Sequence, residues 1–255
     1  MELARVVDRL DAELRTADYA DLDASANGLQ VGPDDADIEL VVFAVDGVRE
    51  TFEKAIEADA DLLVVHHGLS WGGFDRVTGQ TYDRLAPLLE HDLALYVSHL
   101  PLDGHQKLGN AAGVADVLEL ENRVPFGELG PEHIGQRGTA ADLDTPDELR
   151  DRLEAALDTG GQPVQHLAFG PDEIDDVAIV TGSGIDWLEE AVAADADALV
   201  TGEGKGKAYH EAKEAGIHVF LAGHYATETF GVRSLQSLVE EWGLETTFLD
   251  VPTGL

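Results

Sequence analysis

The segment EADADLLVVHHG, from Glu57 to Gly68, returns in altered form as AADADALVTGEG, from Ala193 to Gly204. Each copy sits in the same rhythm. An apolar run and an amphipathic stretch precede it, LVVFAVDGVRETFEKAI in the first case and VAIVTGSGIDWLEEAV in the second, and a helical stretch and a further apolar run follow. Short runs of Val, Leu and Phe have the composition of strands buried on both faces. Strands that alternate with helices predict mainly parallel sheets covered by helices. A chain carrying this unit twice is held to an α/β fold of two related lobes. Coincidence between two Ala-Asp-rich strand approaches is the competing explanation. It does not account for the endings, since the first copy leads to His99-x-x-x-Asp103 and the second to His224-x-x-x-Glu228.

Around the repeat the elements can be placed in outline. Leu3, Val6, Val7, Leu10 and Leu14 recur at helical spacing and predict an opening amphipathic helix. NGLQVG reads as a glycine-containing loop. LVVFAV (40–45), LLVVHH (62–67) and LALYVSH (93–99) read as strands, with helices over 49–58 and TYDRLAPLLEH between them. The stretch 122–145, with Pro125, Pro131 and several glycines, breaks the rhythm. After it, Thr145-Pro146-Asp147-Glu148 has the pattern of a capping box with proline at the first helical position, predicting a helix to about Leu157. VQHLAFG and VAIVTG are then strands. A last helix, with Leu235, Leu238, Val239 and Trp242 on one face, should stop at Gly243. These features predict one α/β domain from residues 1–122 plus 223–255 and a second, smaller α/β domain at 123–222.

Three of those strand ends carry groups that bind metals. His66 and His67 close an apolar strand. Adjacent side chains on an extended chain point to opposite sides, so the pair either flanks two ions or marks a strand already ending. SHLPLDGH (98–105) places His99 and Asp103 on either side of the turn at Pro101, and AGHYATE (222–228) places His224 at a strand end and Glu228 in the following helix. Ligand sites favour the carboxyl ends of strands in open sheets. Imidazole nitrogen and carboxylate oxygen suit zinc, manganese or iron. There are no cysteines, so a thiolate zinc site, a disulfide framework and a cysteine nucleophile are excluded. The remaining histidines lack such settings, His105 beside the site loop excepted. TGEGKGKA (201–208) falls short of a phosphate loop because Ala208 replaces the hydroxyl residue after Lys207. It is either the second repeat's counterpart of the HHG turn or a place where Lys205 and Lys207 hold a phosphate. Glu203 occupies the repeat position of His67.

Taken together and in order, NGLQVG, LLVVHHG, SHLPLDGH with its later GN, TGEG and GHYATE resemble the NIF-three-like family, also known as type 2 homologues of GTP cyclohydrolase I. The resemblance spans almost the whole chain. It implies a NIF-three-like fold and a dinuclear site with His66, His67, Asp103, His224 and Glu228 as ligands, Glu228 bridging two divalent ions (Fe, Zn or Mn), and His99 in or beside the site. It also implies a toroidal homohexamer and a nucleotide-like substrate, such as GTP opened hydrolytically at its imidazole ring. Many members continue HHPLIF, whereas this chain has Gly68, Leu69, Ser70, Trp71 and Gly72 after its histidine pair. The expected ligands survive that change and the pocket wall does not.

The expected activity is therefore a metal-dependent hydrolase in which His99 or Glu203 shuttles a proton and Lys205 and Lys207 bind substrate. The alternative from another class is a metal-binding regulatory or interaction protein without turnover. Charge narrows the partners. With 51 acidic and 16 basic residues the net charge is −35, spread along the chain, which repels a phosphate backbone and argues against nucleic acid. Lysine is scarce. Such a surface repels itself in dilute salt and is relieved by concentrated salt, as expected in a salt-loaded cytoplasm. The charged N-terminus lacks a signal peptide's apolar centre, and no apolar run approaches a membrane span, so a soluble cytoplasmic protein is expected.

Overall fold

The computed structural model describes residues 1–33, 35–143 and 145–255. The chain divides into two compact units, residues 1–102 with 231–251 and residues 103–230 with 252–255. The first unit opens with β1 (Gly28–Val31), β2 (Leu40–Asp46), β3 (Leu62–His67) and β4 (Ala94–Val97). The second contains β5 (Glu121–Leu129), β6 (Glu132–Thr139), β7 (Gln165–Leu167), β8 (Asp176–Ile179), β9 (Ala198–Thr201) and β10 (His218–Leu221). The chain then returns to the first with β11 (Glu245–Phe248).

In the first unit the strand order is β1-β4-β3-β2-β11, all parallel except β1, which runs antiparallel to β4. Alternate residues pack to opposite sides. Val42, Ala44, Leu63, Val65, Leu95 and Val97 join Phe52, Ala55 and Leu88 in one core. Val41, Phe43, Leu62, Val64 and Tyr96 are fully buried as well, as two covered faces require. Helix Leu3–Leu14 buries Leu3, Val6, Leu10 and Leu14 and ends at Arg15, whose left-handed backbone directs its N–H to the Asp11 carbonyl.

In the second unit the order is β5-β6-β8-β9-β10-β7. Only β8, β9 and β10 are parallel neighbours. The β5–β6, β6–β8 and β7–β10 pairs are antiparallel. Both sheets are thus mixed, and the second departs from the expected parallel character. The difference lies in residues 121–139, which form a long hairpin where the composition suggested an interruption. Pro125 sits on the edge strand β5, where a missing N–H is tolerated, and Gly130 turns the hairpin with φ 61°.

The observed boundaries also differ from the expected 123–222 insertion. Helix Asn110–Val117 places Ala111, Val114 and Ala115 in the same core as Leu149, Leu153, Val177, Ile179, Val200 and Phe220, and Phe230 packs against that core. Those contacts carry the second unit from Asp103 to Phe230, and it is not the smaller of the two. The capping box forms as expected. Thr145 Oγ1 accepts from the Glu148 amide, Glu148 accepts from the Thr145 amide, and helix Pro146–Ala156 follows.

The repeat is visible in topology and in hydrogen bonds. Strands β1-β4-β3-β2 of the first unit match β7-β10-β9-β8 of the second in order and direction. Asp59 and Asp195 both take the left-handed backbone that ends a helix, each with φ 56°. Asp61 Oδ2 accepts from the amides of Glu39 and Leu40 at 2.8 and 2.9 Å, and Asp197 Oδ2 accepts from those of Asp175 and Asp176 at 2.9 and 3.0 Å. The repeated Ala-Asp pairs therefore do the same two jobs twice. One detail shifts. Leu62 pairs with Ala94 and Ala198 with His218, while the Ser98 amide bonds Val65 as the Ala222 amide bonds Thr201. His99 is consequently the counterpart of Gly223, and the two His-x-x-x-carboxylate segments are one residue out of register.

Candidate metal centre

In the first unit β3 remains a strand through His67, and His66 is fully buried. The two rings nevertheless converge. Their centroids are 4.6 Å apart, and His99, just past β4, brings a third ring to 5.1 Å from His66 and 5.7 Å from His67. One nitrogen from each of the three lies within 4.8 Å of the others. Every Nδ1 in the group faces an acceptor. His66 Nδ1 donates to the Ser98 carbonyl at 2.8 Å, His67 Nδ1 to Asp46 at 2.8 Å and His99 Nδ1 to Asp23 at 3.0 Å. A carbonyl or carboxylate oxygen can only accept, so in the neutral rings the proton is at Nδ1 and the lone pair at Nε2. This is the arrangement in which metal-binding imidazoles are held by their surroundings.

Asp23 is the hub of that support. It also accepts from the Ser25 and Leu100 amides and from the Asn27 side chain, while Asn27 Oδ1 accepts from the His99 amide. Burial alone would raise its pKa. The hydrogen bond from His99, with the donors from Asn27 and Ser25, works against burial and holds the carboxyl below the usual carboxylate range.

In the second unit the remaining expected ligands gather. Asp103 and Glu228 are buried and offer oxygens within 4.8 Å of each other. Asn110 Nδ2 donates to Asp103 at 2.8 Å. His224 Nε2 lies 3.1 Å from Glu228, and its Nδ1 lies 3.4 Å from Glu203. Burial disfavours a charged imidazole at His224, yet Glu228 and then Glu203 override it and push the pKa up to about 9. Glu203 also accepts from the Ser183 hydroxyl. Gly182 makes the close approach possible. Its φ is 57°, and a Cβ there would overlap Glu228 Oε1. The two lysines are engaged by carboxylates, Lys205 by Asp186 and Lys207 by Glu211 at 3.5 Å. Lys205, with Glu203, Gly204 and Tyr209, lines a cavity of about 710 Å³; Lys207 is not part of its wall.

The structure thus assembles His66, His67 and His99 in one unit and Asp103, His224, Glu228 and Glu203 in the other. The donor set of imidazoles and buried carboxylates fits first-row divalent cations. Sequence reasoning passed over the residues that hold these donors in place. Asp46 was legible as a carboxylate ending the strand beside β3, and Gly182 only as the glycine that closes the apolar run VAIVTG. Asp23 comes from a loop far from His99 in the sequence and gave no local signal, while Asn27 opens the NGLQVG motif, which marked the loop without showing that it meets His99.

The model of the Duf34/NIF3 (NGG1p interacting factor 3) family matches residues 1–254. The chain is 58% identical over 255 residues to a GTP cyclohydrolase 1 type 2 homolog of Halobacterium salinarum, with both chains covered completely. It is 41% identical over 256 residues to the homolog of Archaeoglobus fulgidus, again with full coverage. Among solved structures it is similar to a protein of Thermus thermophilus (TM-score 0.89, 38% identity, both chains covered completely) and to the protein ybgI (TM-score 0.91, 31% identity, both chains covered completely). Among the described residues no helix is long and apolar enough to cross a membrane.

Proposed function

Because the chain belongs to the Duf34/NIF3 family, we propose that it is a metal-dependent hydrolase. In this reading His66, His67, Asp103, His224 and Glu228 would hold two divalent ions, Glu228 serving both. The observation that carries it is the Nδ1 support of His66, His67 and His99 by Ser98, Asp46 and Asp23, which fixes three lone pairs at Nε2.

Two bound divalent ions supply Lewis acidity and lower the pKa of a coordinated water. The protein's own groups orient and move protons. Asp46 fixes the His67 ring, Glu203 holds His224 at Nδ1, and His99, braced by Asp23, passes a proton through Nε2. Lys205, on the cavity wall, and Lys207 hold a phosphate of the substrate. The substrate class is a small phosphate-bearing molecule, a nucleotide such as GTP being the one that the relatives' name suggests. The protein works as a homohexamer in the cytoplasm of a salt-accumulating cell, a setting that matches the net charge of −35.

Anaerobic purification followed by elemental analysis tests the centre. The protein should carry up to two iron, zinc or manganese ions per chain, and Glu228→Ala should lose most of both, because a bridging carboxylate serves two ions. Unchanged metal content in that variant removes the dinuclear reading. Steady turnover of a nucleotide panel by metal-loaded protein establishes the hydrolase, and its absence at full occupancy leaves the metal-binding regulator as the better account.

A further inference from the structure

Trp71 follows closely on the histidine pair, in the segment where the chain departs from its family's usual continuation. The residue is 48% exposed. The indole centroid lies 4.9 Å from that of His99 at an interplanar angle of 80°, and 6.1 Å from that of His67 at 42°. Neither contact is stacked, so neither imidazole lies flat over an indole face.

The backbone beneath this exposed ring is firmly held. Trp71 bridges Ser25, the Ala26 amide donates to the Ser70 carbonyl at 3.2 Å, and the Gly72 amide donates to the Ala24 carbonyl at 2.7 Å. Gln30 Oε1 accepts from the amides of Leu69 and Ser70. The segment that pins Trp71 is therefore the one whose Asp23 and Asn27 fix His99. Beyond it Gly72 and Gly73 take φ of 81° and 100°, and a Cβ at either would meet nothing within 4 Å. A large apolar ring thus stands half-exposed at the edge of the imidazole cluster, on a backbone held by hydrogen bonds. Folding gains little from leaving an aromatic surface in water, whereas a fixed indole face is a stacking surface for a planar ring.

We propose that Trp71 is the platform on which the substrate's planar, purine-sized heteroaromatic ring stacks, bringing that ring against the His67–His99 side of the centre. This rests on the hydrolase reading for the word substrate, but the stacking itself is measurable without turnover. Trp71 is a specificity-determining residue here, selecting ligands that carry a ring over the same sugar phosphate without one.

The test compares guanosine 5′-monophosphate with ribose 5-phosphate by calorimetric titration of the full chain, metal-free and metal-loaded. Metal content is measured in every sample, and molecular mass is followed by light scattering. Wild-type protein should bind the nucleotide at least tenfold more tightly than the sugar phosphate. Trp71→Ala should lose about tenfold for the nucleotide, equivalent to about 1.4 kcal/mol, and nothing for ribose 5-phosphate. Trp71→Phe should restore most of the loss. Equal affinity of wild-type protein for the two ligands overturns the proposal, as does unchanged nucleotide affinity in Trp71→Ala or an equal loss for both ligands. A fall in mass on Trp71→Ala without a ring-specific loss also overturns it, and assigns Trp71, with exposed Phe74, Val77 and Tyr82, to contact with a second copy. Failure of wild-type protein to hold metal would sink the hydrolase reading alone, since ring selectivity is read in the metal-free protein too.

Discussion

Gly182 shows how a residue with no side chain can decide the chemistry of another. Its φ of 57° is reached by glycine at no steric cost, and the missing Cβ leaves room for the buried Glu228 carboxylate. Alanine at this position costs about 1–2 kcal/mol for the left-handed backbone and must also push Glu228 aside. The expected outcome for Gly182→Ala is a folded protein with at least a severalfold lower metal content, seen by elemental analysis beside a melting curve of the metal-free form. Full occupancy in that variant would show that Glu228 tolerates displacement and is not a demanding ligand. A similar logic covers the histidines. His66 and His67 were legible as candidates from their place at a strand end, but whether adjacent rings diverge or converge depends on the acceptors at Ser98 and Asp46, which belong to neighbouring strands and their ends.

At the level of elements, the Ala-Asp repeats explain why two distant strand approaches look alike. Asp61 ties the entrance of β2 to that of β3, and Asp197 ties β8 to β9, each through two backbone amides. Both carboxylates are part-buried, so replacement by alanine removes two charge-assisted hydrogen bonds. Asp61→Ala and Asp197→Ala should each cost about 2 kcal/mol, measured as a shift in denaturant midpoint with unchanged slope. A large effect at one position and none at the other would break the equivalence of the repeats at this point. The same scale shows where sequence patterning failed. β5 and β6 lack a continuous apolar run because β5 is an edge strand, and its mostly exposed residues read as a loop. β1 and β11 were missed for a related reason, since both lie at sheet edges.

For the whole molecule the dominant long-range term is self-repulsion at a net charge of −35. Few cations compensate it locally. Exposed ion pairs such as Arg49–Glu53 and Lys54–Glu50 contribute little. Screening at molar KCl shortens the reach of each charge to about 3 Å. A gain of about 3 kcal/mol from that relief would raise the melting temperature by roughly 10 °C for a chain of this size. The expected result is a steep rise in melting temperature from dilute to molar KCl, in metal-free and metal-loaded protein alike, the latter offset upward by ligand linkage. A flat response would remove salt adaptation as the meaning of this composition.

The sequence by itself determined the α/β class, the strand LLVVHH to its end residues, the capping box at Thr145, the family and the internal repeat. All of these rest on local periodicity or on ordered motifs, which need no knowledge of what packs against them. The tertiary structure alone decided the sheet directions, the extent of each unit and the one-residue offset between the two His-x-x-x-carboxylate segments. It also decided the support of the candidate ligands by Asp23, Asp46, Ser98 and Gly182. These depend on pairing and close approach between segments far apart in the chain, and no short stretch of residues encodes which distant backbone or carboxylate it will meet.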